Sequence, residues 1–132
     1  MINLTKYFTK GLKNTLLLKD NSGTSHNGPW ISLADNTVLE RWHTNDFASV
    51  DYTVSVDFDN RNKEVIKFLV TAVENNAFVV EYARNNTNID IITVDALVNN
   101  SYVDIIVNPK IPNLRGSKII FTAQYFQTQT SS

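Results

Sequence analysis

The sequence predicts an all-β fold: an antiparallel β-sandwich, jelly-roll or Ig-like, of about seven to eight strands, with an N-terminal arm. Three observations carry this. Segments that alternate apolar and polar residues recur from Val38 onward, the period of a half-buried strand. Turn residues interrupt them about every 10–14 residues, the spacing of a sandwich or barrel. No interval between these segments has room for the crossover helix of a parallel sheet. Two regions follow, an arm and loop region over residues 1–36 and a sandwich domain over residues 37–132.

"TVLERWH", Thr37 to His43, is the first strand of the set. The clearest is "VDYTVSVDFDNRN", in which Val50, Tyr52, Val54, Val56 and Phe58 share one face. Asp51, Thr53, Ser55, Asp57 and Asp59 take the other, because successive strand side chains point to opposite sides. In "EVIKFLVTAV", Ile66, Phe68, Val70 and Ala72 alternate with Val65, Lys67, Leu69, Thr71 and Val73. That second face is half apolar, which predicts a central strand or one partly covered on both sides. Asn75-Asn76 turns the chain into "AFVVEYAR", where Phe78, Val80 and Tyr82 share a face. "NIDIITVDAL", "YVDIIVNP" and "SKIIFTAQYFQ" complete the set, the last with Ile119, Phe121, Ala123 and Tyr125 pointing one way. Most strand aromatics (Tyr52, Phe58, Phe68, Phe78, Tyr82, Phe121, Tyr125) share faces with aliphatic residues, which assigns them to the core.

The punctuation is supplied by asparagine, with seventeen residues against four glycines. Asparagine tolerates left-handed backbone conformations and bonds its own backbone. The pairs Asn75-Asn76, Asn85-Asn86 and Asn99-Asn100 therefore mark turns.

The first 36 residues follow another pattern. Leu4, Phe8 and Leu12 recur at a spacing of four, a short amphipathic helix weakened by Gly11. "TLLLKD" reads as a short strand and "NSGTSHNGPW", Asn21 to Trp30, as a loop. Leu4, Tyr7, Phe8, Leu12, Leu16, Leu17 and Leu18 form the candidate partner-binding set, apolar surface to bury on the arm's own domain or on a neighbouring subunit.

Twelve basic residues face thirteen acidic ones, for a formal charge of -1. No large single-sign field is implied, so no nucleic-acid partner is expected. The absence of cysteine removes disulfide frameworks, thiolate zinc sites and thiol nucleophiles together. No apolar run reaches the roughly 18–20 residues of a membrane span, so no membrane partner is expected. "MINLTKYFTKGLKNTLLLKD" lacks the apolar core and small-residue cleavage site of a signal peptide, which leaves the sequons at Asn3, Asn85 and Asn99 without secretory context.

No catalytic, cofactor-binding or metal residue is assigned from the sequence, and no cofactor is expected. A serine triad needs a histidine, but neither His26 nor His43 lies near a nucleophile elbow, and no G-x-S-x-G occurs. Gly11, Gly23, Gly28 and Gly116 are too scattered for a phosphate cradle. From Asp57 the chain reads Asp-Phe-Asp-Asn-Arg-Asn, with Asn62 where a calcium loop needs glycine and Phe68 where it needs the closing glutamate. Asp57 and Asp59 project from one strand face, and Glu40, Asp51, Glu64 or Glu81 could approach from neighbouring strands. The pair is read as the polar edge of a strand entering a hairpin turn, with metal binding or glycosidase-type hydrolysis as the competing use. Trp30 and Trp42 are candidates for stacking on a sugar ring, against the alternative of a tryptophan closing one end of the sandwich.

Taken together, "VDYTVSVDFDNRNKEVIKFLVTAVENNAFVVEYA", "VDIIVNPK" and "GSKIIFTAQYFQTQ" resemble small structural proteins of tailed bacteriophages, closest in texture to marine T4-like phages infecting cyanobacteria. There, β-domains with "VEYA"-like and "P…GSKI-FTA-YF-T" endings recur among virion proteins. The resemblance covers about residues 36–128 and contains no catalytic motif. It implies a non-enzymatic, multi-copy virion component: a capsid decoration protein, or a neck, tail or fibre-attachment domain. The implied partners are other virion proteins and copies of itself in a homo-oligomer or larger assembly. The implied location is the virion, after synthesis in the host cytoplasm. The alternative is a carbohydrate-binding β-sandwich module of tail-fibre or receptor-binding type.

Overall fold

The computed structural model describes residues 30–111 and 117–129, together with the backbone of residues 15–17 and 23–27. Among the described residues ten strands form: β1 (Thr15–Leu17), β2 (Gly23–Asn27), β3 (Ile31–Ser32), β4 (Thr37–His43), β5 (Phe47–Asp57), β6 (Lys63–Val73), β7 (Asn76–Asn86), β8 (Ile92–Asn99), β9 (Tyr102–Pro109) and β10 (Lys118–Gln127). They build two antiparallel sheets. The larger runs β1-β2-β10-β5-β6-β7, with β3 also paired to β10, and the smaller runs β4-β9-β8. The fold is the all-β sandwich that the alternation predicts.

The core lies between the sheets. Val50, Tyr52, Val54 and Val56 of β5, Ile66, Phe68 and Val70 of β6, and Ile119, Phe121 and Tyr125 of β10 face Trp42 of β4 and Val103, Ile105 and Val107 of β9. The alternation that was legible along β5, β6 and β10 is therefore the inward face of the larger sheet. Tyr52 stacks on Phe68 at 5.0 Å, and Phe47 packs on Tyr125 at 4.7 Å.

The short hairpins show the turn chemistry. β8 and β9 are joined by Asn100 and Ser101, with φ of 53° and 67°, the paired left-handed residues of a type I′ turn. At the β6–β7 hairpin the left-handed residue is Glu74, at φ 55°, and not one of the adjoining asparagines. A β-carbon there costs about 1 kcal/mol, so Glu74→Gly is expected to raise stability by up to about that amount. Thermal denaturation of the two proteins checks this, and a lower midpoint for the glycine variant would contradict it.

The structure departs from the sequence reading at several places, among them Asn85-Asn86, which forms the end of β7 where a turn is expected. Residues 21–30 were expected to be a loop, yet Gly23–Asn27 is a strand lying on the β10 edge from Thr122 to Phe126. That stretch has no apolar alternation, and β10 supplies the template. Phe78 and Tyr82, expected in the core, are exposed with Val80 on the outer side of β7. Of the proposed partner-binding residues, Leu16 and Leu17 belong to β1, paired to Ser25 and Thr24, while Leu4, Tyr7, Phe8, Leu12 and Leu18 lie outside the described residues.

Candidate functional site

β5 ends at Asp57, and the chain turns through 58–62 into β6. Phe58 N donates to Asn62 O at 3.1 Å, closing the turn. Asp59 Oδ1 accepts from Arg61 N and Asn62 N, each at 2.8 Å, and from Asn62 Nδ2 at 3.0 Å. The side-chain bond from Asn62 and the two backbone N–H groups hold the Asp59 carboxyl below the usual range. A carboxylate so occupied anchors the loop and is a poor proton donor. Asp57 Oδ1 accepts from Lys63 Nζ at 2.7 Å.

Long-range pairing places two more groups beside this turn. Lys118, the first residue of β10, pairs across the sheet with Asp57 on one side and Ser32 on the other. Trp30 immediately precedes β3 and is 50% exposed. Trp30, Asp57, Phe58, Asp59, Asn60 and Lys118 line an open depression of about 440 Å³. The sequence treated Trp30 and the two aspartates as separate candidates, and the fold brings all three to one rim. It gave no sign of Lys118, whose pairing with Asp57 spans about half the chain.

The other carboxylates are engaged elsewhere. Asp51 accepts from the Tyr82 hydroxyl at 2.8 Å across the outer face. Glu64, 1% exposed, accepts from Arg84 Nη1 at 2.8 Å, from Ile91 N and Ile92 N at 3.1 Å, and from Asn86 Nδ2 at 3.0 Å. Arg84 also holds Glu81 at 2.6 Å. Among the described residues no group of three or more His, Cys, Asp or Glu is placed to hold a metal ion.

Trp42 is 3% exposed and belongs to the core, which corrects its candidacy for sugar stacking. Its Nε1 donates to the Tyr52 hydroxyl at 2.9 Å. The Tyr52 hydroxyl in turn donates to Glu40 Oε2 at 2.7 Å, and the Tyr125 hydroxyl donates to Glu40 Oε2 at 2.6 Å. Glu40 reaches these groups because it stands two residues before Trp42 and so shares its inner face, while the register shift between Val38 and Glu40 leaves Val38 on the outside. Burial pushes its carboxyl up to about 7, against the opposing effect of the two tyrosine bonds. The cluster ties β4 to β5 and β10 and satisfies the polar ends of three buried aromatics. His43 caps the next turn, its Nδ1 accepting from Asn45 N at 3.0 Å, with its ring edge-on to Tyr102.

The outer face of β6 and β7 is the second candidate surface. Val65, Leu69 and Val73 of β6 lie beside Phe78, Val80 and Tyr82 of β7, all exposed. Phe78 and Val80, each 59% exposed, pair with Thr71 and Leu69. β7 is the last strand of the larger sheet, and its outer edge pairs with no strand among the described residues.

No family model matches the chain, and no characterised protein matches it in sequence. Among solved structures it is similar to the tailspike protein of Acinetobacter phage vB_ApiP_P1, at 10% identity and a TM-score of 0.36 over 86% of this chain. The chain spans 22% of the length of that protein.

Proposed function

We propose that the chain is a non-enzymatic structural component of a phage particle, present in multiple copies and acting by docking. Its place would be capsid decoration or a neck, tail or fibre attachment. The resemblance of its strand segments to virion proteins supports the setting. The observation that carries the docking role is the apolar face of β6 and β7, which runs out to an edge that pairs with no strand among the described residues. Exposed apolar surface of this kind marks an interaction site, and an edge strand without lysine or proline is open to strand addition; β7 contains neither.

The occupant of that edge is a second copy of the chain. The half of β7 from Asn76 to Val80 carries no charge, so antiparallel pairing with its own counterpart sets no like charges opposite each other. A two-fold arrangement of this kind brings Phe78 and Val80 of the two copies together, as an isologous interface requires. Sedimentation velocity is expected to show a self-associating wild-type chain and a monomeric Phe78→Lys/Val80→Lys variant with an unchanged circular dichroism spectrum. A wild-type chain that stays monomeric at every concentration, or a double variant that still associates, would overturn this reading.

A further inference from the structure

We infer that the depression beside the β5–β6 turn is a carbohydrate-binding site, taking a neutral pyranose sugar with its apolar ring face on Trp30. It is independent of the docking surface, which lies on β6 and β7. Half of the Trp30 surface faces solvent, on the rim of a depression that also presents Asp57, Asn60 and Lys118. A pyranose offers one apolar C–H face and a ring of hydroxyls that both donate and accept. The rim matches both halves, with an indole for the ring and a carboxylate, an amide and an ammonium for the hydroxyls. Its volume of about 440 Å³ falls in the range of small-molecule sites, roughly 300–1,000 Å³.

Two further features select the sugar class. The lining itself holds two carboxylates, Asp57 and Asp59, against one cation, Lys118, which favours neutral sugars over sialylated or sulfated ones. The turn is also fixed in advance: the three bonds into Asp59 Oδ1 hold the backbone on either side of Asn60. Binding therefore need not order the loop, a cost that otherwise weakens affinity. This gives Asp59 a positioning role, with Trp30, Asp57, Asn60 and Lys118 touching the ligand.

The test is a glycan array of neutral hexose and N-acetylhexosamine oligosaccharides, with sialylated and sulfated glycans beside them, probed with the full chain and followed by calorimetric titration of the best binder. The wild type is expected to hold at least one neutral glycan. Trp30→Ala should weaken it by about tenfold or more, as removal of a central aromatic anchor does. Asn60→Ala should weaken it less, and Leu97→Ala, on the other sheet, should leave it unchanged. Thermal melts establish that each variant is folded. Failure to bind any neutral glycan, binding of acidic glycans alone, or equal affinity in Trp30→Ala and Asn60→Ala would each overturn the assignment. Loss of self-association in the β7 variant with glycan binding intact separates this site from the docking reading.

Discussion

Replacing Arg84 by methionine is expected to destabilise the fold by about 3–5 kcal/mol, the cost of removing one partner from a buried ion pair. Glu64 is closed off from solvent, and Arg84 is the cation beside it. Arg84 Nη1 serves both the Glu64 carboxylate and the Ile92 carbonyl, at 2.8 and 3.1 Å. Ile91 N, Ile92 N and Asn86 Nδ2 also donate to the carboxylate. The network joins β6, β7 and the segment that crosses to the smaller sheet. Its loss therefore strikes the connection between layers as well as a pair of charges. Folded domains are stable by only about 5–15 kcal/mol, so the variant should unfold at much lower denaturant concentration. Equilibrium unfolding in urea measures this directly. Arg41→Met is the contrast, because the Arg41–Asp104 pair at 2.6 Å has its arginine open to solvent and should scarcely matter. A loss below about 1 kcal/mol for Arg84→Met would refute the central role given to this network.

The second large effect is a stability that declines as pH rises through neutrality, controlled by Glu40. Its carboxyl titrates at 4.5 when exposed and at about 7 in the folded chain. Below 4.5 both states hold the proton, and the stabilising contribution is complete. Between these values the unfolded chain releases the proton while the folded one keeps it, so stability falls. Above 7 the contribution is gone, a total of about 3 kcal/mol. The groups facing Glu40 are the Tyr52 and Tyr125 hydroxyls, and no cation pairs with it among the described residues. Asp59 acts in the opposite sense: its lowered carboxyl contributes above its ordinary value and loses that contribution as pH falls. Being exposed, it has the smaller effect, so maximal stability should fall on the acid side of neutrality. Thermal melts of the wild type at pH 4.5, 6 and 8 should show the decline, and Glu40→Gln should flatten it and be the more stable protein at pH 8. A wild type more stable at pH 8 than at pH 4.5 would contradict the assignment.

What could be read ahead of the structure was whatever depends on neighbours in the chain. The alternation along β5, β6 and β10 found its buried face, and Asp57–Asn62 formed the hairpin turn that its composition implied. What could not be read depends on partners far away. The second face of β6 is half apolar in sequence, which reads as partial cover, but the smaller sheet covers only the face carrying Ile66, Phe68 and Val70. Leu69, Phe78 and Val80 therefore remained outside although they alternate as core residues do. Glu40 reads as an ordinary polar strand residue because the two tyrosines that receive it lie far along the chain, on β5 and β10 of the other sheet. The depression needed three separate pieces, Trp30, the turn after β5 and the start of β10, which only the sheet order brings together.

The position of β10 also bears on how the chain reaches this state. β10 fills the gap between β5 and the N-terminal strands β2 and β3, so the first and last thirds of the sequence meet along it. During synthesis β2 has only the short β1 to pair with, and β3 has no partner strand among the described residues, until β10 has been made. The edge of β5 stands open for the same interval. Contacts this distant in sequence slow the search for the folded state and leave sticky edges exposed meanwhile. The larger sheet is thus completed last, and the interval before β10 arrives is when the chain is most open to misassembly.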